Sequence, residues 1–346
     1  MTARKIDLGE KPRILVARTD RIGDVALSLP VFASLRKAFP KAVICALTRD
    51  YTREILEGRD DVDEIISFDS KNSQIPLRSF TGLVSKIKEM KFDVGIALYL
   101  NFSVSLLLAL SRVPRRLGPA TKAAQIFLTD KVKQHRSRGK RHEADHNLDL
   151  LKPLSVAPVR RAVIDVAKPG LVAFKKNEGR PLIGVHPGHG GSSRNWPENS
   201  YAELIASLSS SGCDVVVTGS TIERELVRRV IKRSGVEPQV YIGNNGLKEL
   251  ACALAGLDVF IGPSTGPLHI ASAVGTPVVG LYCPIFVCLP ARWGPIGPND
   301  IALTPDVEPC DRCVNEKCES FDCMETISVE EVKEAALERV RALADA

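Results

Sequence analysis

A chain of 346 residues, 44% of them hydrophobic and 25% charged, has the make-up of a globular protein and the length for two domains, each with its own core. The net charge of +6 favours anionic partners. Only 5% of residues are aromatic and none of these interleave with basic runs, which argues against a base-stacking RNA or single-stranded DNA binder and leaves no nucleic acid among the expected partners.

The predicted elements alternate. Short β-branched or apolar runs at 13–18 (RILVAR), 42–47 (AVICAL), 64–68 (EIISF) and 93–98 (DVGIAL) are separated by segments with helical spacing, which predicts a parallel sheet. After Pro158 the periodicity weakens, and the Lys-, Gly- and Pro-rich stretch 165–181 marks a domain boundary. The pattern then restarts with LIGV, a helix near 199–209, CDVVVTG, a helix near 222–233, LKELACALAG, LDVFIG, a helix from 266, and PVVGLY. The expectation is an α/β protein of two Rossmann-like domains facing each other across a cleft, residues 1–168 and 180–327. Residues 328–346 carry apolar side chains at helical spacing behind Ser328 as N-cap and Glu331 at the capping-box position, and so form a closing helix. The opening MTARKIDLGEKPRILVAR holds no long apolar run, and no other stretch approaches membrane-spanning length, so a cytoplasmic protein is expected.

In such sheets ligands sit beyond the carboxyl ends of the strands, so the loops there carry the chemistry. The first, RTDRIGDVALSLPV (18–31), packs Arg18, Asp20, Arg21 and Asp24 between a strand and an amphipathic stretch that runs to Phe39. The loop after LIGV, HPGHGGSSRNWP (186–197), sets small residues ahead of Arg194 and suits a phosphate; a flexible surface loop is the plainer alternative. After LDVFIG comes PSTGPLHIASAVGTP, in which Ser264 or Thr265 can cap a helix, Gly266 opens the backbone and Pro267 suits the first turn. That is an anion cradle, although ordinary capped helices share the pattern. His186 and His269 sit beside these two loops. The absence of G-x-G-x-x-G after the first strand argues against a dehydrogenase. Asp61 and Asp63 match Asp-x-Asp formally, in a turn where solvated acids are ordinary.

Of nine cysteines, Cys310, Cys313, Cys318 and Cys323 follow C-x2-C-x4-C-x4-C. In a cytosolic chain that spacing points to metal before disulfides, with four thiolates for structural zinc or an iron-sulfur centre, or to a clasp before the last helix. Two basic stretches, 111–118 and 131–142, offer a positive face, which solubility alone also explains.

Taken in order and spacing, RTDRIGDVALSLPV, HNLDLL (146–151), GVHPG (184–188), RNWP (194–197) and GPSTGPLHIASAVGTPVVGLYCP (262–284) resemble the ADP-heptose lipopolysaccharide heptosyltransferases of glycosyltransferase family 9. The resemblance implies the GT-B fold and an inverting transferase that needs no metal or other cofactor for catalysis. It implies transfer of a heptose from ADP-heptose to an anionic lipid-linked saccharide, the lipopolysaccharide inner core, with peripheral contact at the cytoplasmic face of the inner membrane. The first domain then binds acceptor and the second binds nucleotide sugar. Asp24 becomes the general base and Gly23 lets the backbone approach the substrate. Ser264, Thr265, Gly266, Pro267 and Arg194 take the diphosphate, with His186, Pro187, Gly188 and His269 beside it and Glu223 on the nucleoside. Arg18 and Arg21 hold their loop or meet acidic acceptor groups. The best-known members carry Lys where this chain has Arg194 and Asp where it has Ser264. The second difference removes a carboxylate near the donor sugar and keeps open another nucleotide sugar, or a non-catalytic nucleotide-sugar binder.

Overall fold

The computed structural model describes residues 6–68, 76–166, 172–191, 194–313, 318 and 322–344. The chain divides into two compact units, residues 1–136 with 143–162 and residues 137–142 with 163–346.

The first unit is built on β1 (Arg13–Ala17), followed by α1 (Ile22–Ala26) and α2 (Leu29–Ala38), β2 (Val43–Thr48), α3 (Asp50–Arg53), β3 (Glu64–Ser67), α4 (Leu77–Glu89), β4 (Val94–Ala97), α5 (Phe102–Leu110), β5 (Arg115–Pro119), β6 (Asp130–Val132) and α6 (Glu143–Asp149). Its six strands are all parallel, in the order β3-β2-β1-β4-β5-β6, with Ile14 beside both Ile44 and Val94. Strands covered on both faces read as continuous apolar runs, which is why β1, β2 and β4 were legible. The helical stretch expected to run to Phe39 is instead broken at Leu27–Ser28. Pro30 has no N–H to continue the first helix, and Ser28 turns its hydroxyl back onto the Val25 carbonyl, 2.7 Å away. Asp61 and Asp63 are held by protein groups: Asp61 by Arg59 (2.6 Å), Asp63 by Arg36 (2.6 Å) and the Ile44 N–H (2.7 Å).

The second unit repeats the plan with β7 (Leu182–Val185), α7 (Glu198–Ser210), β8 (Asp214–Ser220), α8 (Arg224–Ser234), β9 (Gln239–Gly243), α9 (Leu247–Ala255), β10 (Val259–Pro263), α10 (Gly266–Ala273), β11 (Val278–Leu281), α11 (Pro290–Trp293), β12 (Ile301–Leu303) and α12 (Val329–Ala344). Its sheet, also parallel, runs β12-β11-β10-β7-β8-β9. Counted from its own first strand, that is the order of the first sheet. Both are Rossmann-like, with the order reversing between β1 and β4 and between β7 and β10. The closing helix α12 starts as expected, Ser328 Oγ accepting the Glu331 N–H at 3.1 Å, and buries Val332 and Ala336 in a core shared with Trp196, Tyr201 and Ile327. Trp196, only 2% exposed, donates its indole N–H to the Ile327 carbonyl at 2.9 Å. Among the described residues, no helix is long and apolar enough to cross a membrane.

Candidate active site

In the first unit the loops after β1 and β4 meet at the strand-order reversal, where Asn101 donates its side-chain N–H to Thr19 Oγ1 at 3.3 Å. Arg18, 3% exposed, is the centre of this corner. Its Nε lies 2.8 Å from Asp20 Oδ2, its Nη1 lies 3.1 Å from both Glu143 Oε1 and Asn147 Oδ1, and its Nη2 pairs with Asp24 Oδ1. Arg136 brings a second guanidinium onto the same Glu143 oxygen and donates to Asn147 Oδ1 at 3.3 Å. Three carboxylates thus share two guanidiniums. Burial opposes the charge on Arg18, but Asp24, Asp20 and Glu143 overcome it and hold its pKa above an arginine's ordinary value. Burial pushes the Asp20 carboxyl up, against the pull of Arg18. Asp24 sits in the first turn of α1, where its Oδ2 accepts the Arg21 N–H at 3.3 Å; Gly23 precedes it, half-buried. Asp24 therefore also has the dipole-facing position of an ordinary first-turn acid. Arg18 is committed to this cluster and holds the loop, whereas Arg21 is exposed.

In the second unit the corresponding reversal brings together the loops after β7 and β10. His186, at the end of β7, is buried, with Nδ1 3.0 Å from Thr218 Oγ1 and Nε2 4.0 Å from Glu223 Oε2. Burial outweighs the attraction of Glu223 and holds the His186 pKa below the ordinary imidazole value. Glu223, at the N-cap of α8, accepts from the Ser220 N–H (2.9 Å) and hydroxyl (2.7 Å). Burial works against its charge, yet His186, Ser220 and the Gly190 N–H hold its carboxyl below the usual range. Gly188, next to Pro187, makes room for it: a Cβ there would stand 2.2 Å from a Glu223 oxygen.

Thr265 occupies the N-cap of α10, but neither it nor Ser264 caps the helix as expected. The Thr265 hydroxyl turns back to the Pro263 carbonyl at 3.3 Å, and Ser264 bonds the Tyr282 hydroxyl. With Gly266 first and Pro267 second, the opening turn keeps backbone donors that neither its N-cap residue nor, among the described residues, another capping side chain takes. Within that helix His269 is buried, its Nδ1 without a hydrogen-bond partner among the described residues. Burial, reinforced by His142, pushes its pKa down to about 3.

Arg194 lines a cavity of about 110 Å³ with Cys310, Cys313, Cys318 and Cys323, together with Glu308 and Arg312. Cys310 is tied by backbone to the segment after β11, donating to the Pro284 carbonyl at 2.9 Å and accepting from the Phe286 N–H at 2.7 Å. Burial pushes the Cys310 and Cys323 thiols up. The cavity gathers the expected four cysteines. Among the described residues, however, no three His, Cys, Asp or Glu side chains stand close enough to hold a metal. Residues 314–317 and 319–321 of that loop, and Ser192 and Ser193 of the Gly/Ser loop, lie outside the described residues.

Glu143, Arg136 and Asn147 went unassigned on sequence. Asn147 belongs to the HNLDLL phrase, and Arg136 to the basic stretch 131–142, which offers a positive face or serves solubility.

Residues 80–323 match the model of glycosyltransferase family 9 (heptosyltransferase). The chain belongs to that family. A Haemophilus influenzae protein described only in general terms as a glycosyltransferase is 33% identical, the match covering 85% of this chain and 89% of that protein. Lipopolysaccharide heptosyltransferase 2 of Salmonella typhimurium is 24% identical over 79% of this chain and 83% of its own. Among solved structures, a family 9 glycosyltransferase from Veillonella parvula superposes with a TM-score of 0.81 at 25% identity, over 99% of this chain and 100% of that one. Escherichia coli heptosyltransferase WaaC, solved with ADP, gives 0.73 at 18% identity over 94% and 99%. The fold is therefore GT-B, and the family 9 chain is a glycosyltransferase of heptosyltransferase type.

His269 yields a stability test. Its folded pKa of about 3 lies below the ordinary 6.5, so below pH 6.5 the unfolded chain takes up a proton that the native helix refuses. This contribution is complete above pH 6.5 and is lost as pH falls towards 3. Between pH 7 and pH 5 it amounts to about 2 kcal/mol. Denaturant titrations at the two pH values should show that loss in the native protein, and His269→Gln should remove it.

Proposed function

We propose that this family 9 enzyme transfers a heptose, or a closely related sugar, from ADP-heptose to the inner-core saccharide of lipopolysaccharide, with inversion at the anomeric carbon. The observation that carries this reading is the uncapped start of α10 at the strand-order reversal of the second unit. Free first-turn N–H groups and the positive end of a helix dipole suit a diphosphate. The names of the similar proteins support the donor and the acceptor: one relative is a lipopolysaccharide heptosyltransferase, and one structural neighbour was solved with ADP.

Asp24 acts as general base, taking the proton of the acceptor hydroxyl as its oxygen bonds to the anomeric carbon. The bond to the diphosphate oxygen breaks in the same displacement, and ADP leaves with the electron pair. Backbone donors of Gly266 and Leu268 and the Arg194 guanidinium stabilise the charge that develops, with Ser264, Thr265, Pro267 and His269 shaping that turn. Glu223, held ionised against the Gly188 backbone, receives the nucleoside hydroxyls, with His186 and Pro187 fixing the loop. The step itself needs no metal.

On the acceptor side, exposed Arg21 meets acidic groups of the saccharide. The basic stretches 111–118 and 131–142 and the exposed Phe102, Leu110 and Ile126 support peripheral contact with an anionic lipid surface at the cytoplasmic face of the inner membrane. A second donor reading, another nucleotide sugar, rests on Ser264, whose position lacks a carboxylate and whose hydroxyl is engaged by Tyr282. Separately, the four thiols fit a structural metal by donor chemistry: Cys310, Cys313, Cys318 and Cys323 would hold zinc or iron once drawn together, fastening the loop before α12.

Calorimetric titration should give micromolar binding of ADP and much weaker binding of UDP; a preference for UDP would move the donor to the second reading. Asp24→Asn should keep ADP affinity and lose sugar transfer by about three orders of magnitude, while transfer near the native rate would remove Asp24 as base. Elemental analysis of anaerobically purified protein should find close to one equivalent of zinc or iron, and a few hundredths of an equivalent would end the metal reading.

A further inference from the structure

The Arg18 corner holds more charge than a single base needs. Glu143, 1% exposed in the first turn of α6, is bound by both Arg18 and Arg136. Arg18 in turn is the group that grips Asp24. Asn147, one helical turn after Glu143, accepts from both guanidiniums and donates to the Leu27 carbonyl at 3.2 Å, the residue that ends α1. The helix carrying Asp24 and the helix carrying Glu143 are thereby tied to the same pair of cations.

We propose that Glu143, with Arg136 as its counter-cation, is a positioning residue for the transfer step, sharing the charge of Arg18 with Asp24 so that the carboxylate keeps both its orientation and its ability to accept a proton. The proposal rests on the reading of Asp24 as base. A cation shared among three carboxylates neutralises each only in part; take one away and its field falls on the remaining two. Without the Glu143 charge, Arg18 would bind Asp24 and Asp20 more fully and leave a weaker base. Without Arg136, Glu143 would claim more of Arg18, and Asp24 would be a stronger base. The other charged or titratable groups at this corner are Arg21 on the same loop, Arg49 and Tyr51 after β2, and Tyr99, whose ring lies 5.8 Å from the Arg18 guanidinium carbon and 4.2 Å from Lys122 Nζ. His146, on α6 itself, is buried one turn from Glu143. Removing the negative charge of Glu143 and removing the positive charge of Arg136 shift the balance at Asp24 in opposite directions.

The test is the pH dependence of sugar transfer in the full-length protein. Glu143→Gln keeps an oxygen for both guanidiniums and removes only the charge. Its kcat should fall about tenfold with the donor KM unchanged, and the acid limb of its kcat profile should move to lower pH by about half a unit or more. Arg136→Gln should move that limb to higher pH, and Glu143→Asp, which retains the charge, should return it to the native position. Each variant tests the proposal by itself if the other does not fold. A limb that stays in place, one that moves the same way in both glutamine variants, or a change confined to donor KM would overturn it. Asp24→Asn in the same assay separates the two readings. If it abolishes transfer while the limbs of the other variants stay in place, only the positioning role falls; if it retains transfer, the base falls and the positioning role with it.

Discussion

The constraint on which everything else rests is a reversal of strand order, made twice. In a parallel sheet joined by right-handed crossovers, the connections leaving β1 and β4 pass to opposite faces, and so do those leaving β7 and β10. Their first loop residues cannot be covered by either helix layer, and a crevice stays open at the carboxyl ends of those two strands. Every candidate residue with a chemical part hangs on one of these four strands or is drawn towards it: Arg18 and Asp24 after β1, Asn101 after β4, His186 and Gly188 after β7, Thr265 and Gly266 after β10. The two sheets share one order but present different chemistry, carboxylates paired with guanidiniums in the first and, in the second, buried imidazoles beside a helix start that its N-cap side chain leaves uncapped.

The first of these corners is costly. Several ionised groups lose water to sit around Arg18, and buried ion pairs of this kind seldom stabilise a fold beyond what apolar side chains of like volume would achieve. Stability alone therefore does not account for them. A cluster that instead fixes the direction and field at one carboxylate has a reason to remain polar, because the same low dielectric that makes it costly makes each charge effective at Asp24.

What was legible in the sequence follows from how local each signal is. Buried parallel strands such as ILVA and VFIG announce themselves as apolar runs, and the start of α12 is written in Ser328 and Glu331, three positions apart. Three strands are silent. β5 opens with Arg115 and Arg116, β6 is three residues with a lysine at its centre, and β12 is three residues long, so none shows a period. Arg116, read as part of a basic face, donates to the Val113 and Phe127 carbonyls and braces the start of its strand. At the site, Asp24 was visible because four charges crowd between a strand and a helix. Glu143 was not: its partner lies 125 positions away, and a tertiary ion pair leaves no mark on either local stretch.

The second corner shows why a capping motif can mislead in an instructive way. Ser264, Thr265, Gly266 and Pro267 spell an ordinary helix start, and an ordinary start would satisfy its own amides with a hydroxyl. Here both hydroxyls turn away, one to the Pro263 carbonyl and one to Tyr282, and Pro267 lacks only an N–H that the first turn leaves without an intrahelical partner. His269 and His186 behind them stay uncharged through burial. An anion at this turn would therefore be met chiefly by fixed dipoles, whose grip strengthens as charge develops on the leaving oxygen. On the proposed reaction, that bias favours the transition state over the bound donor.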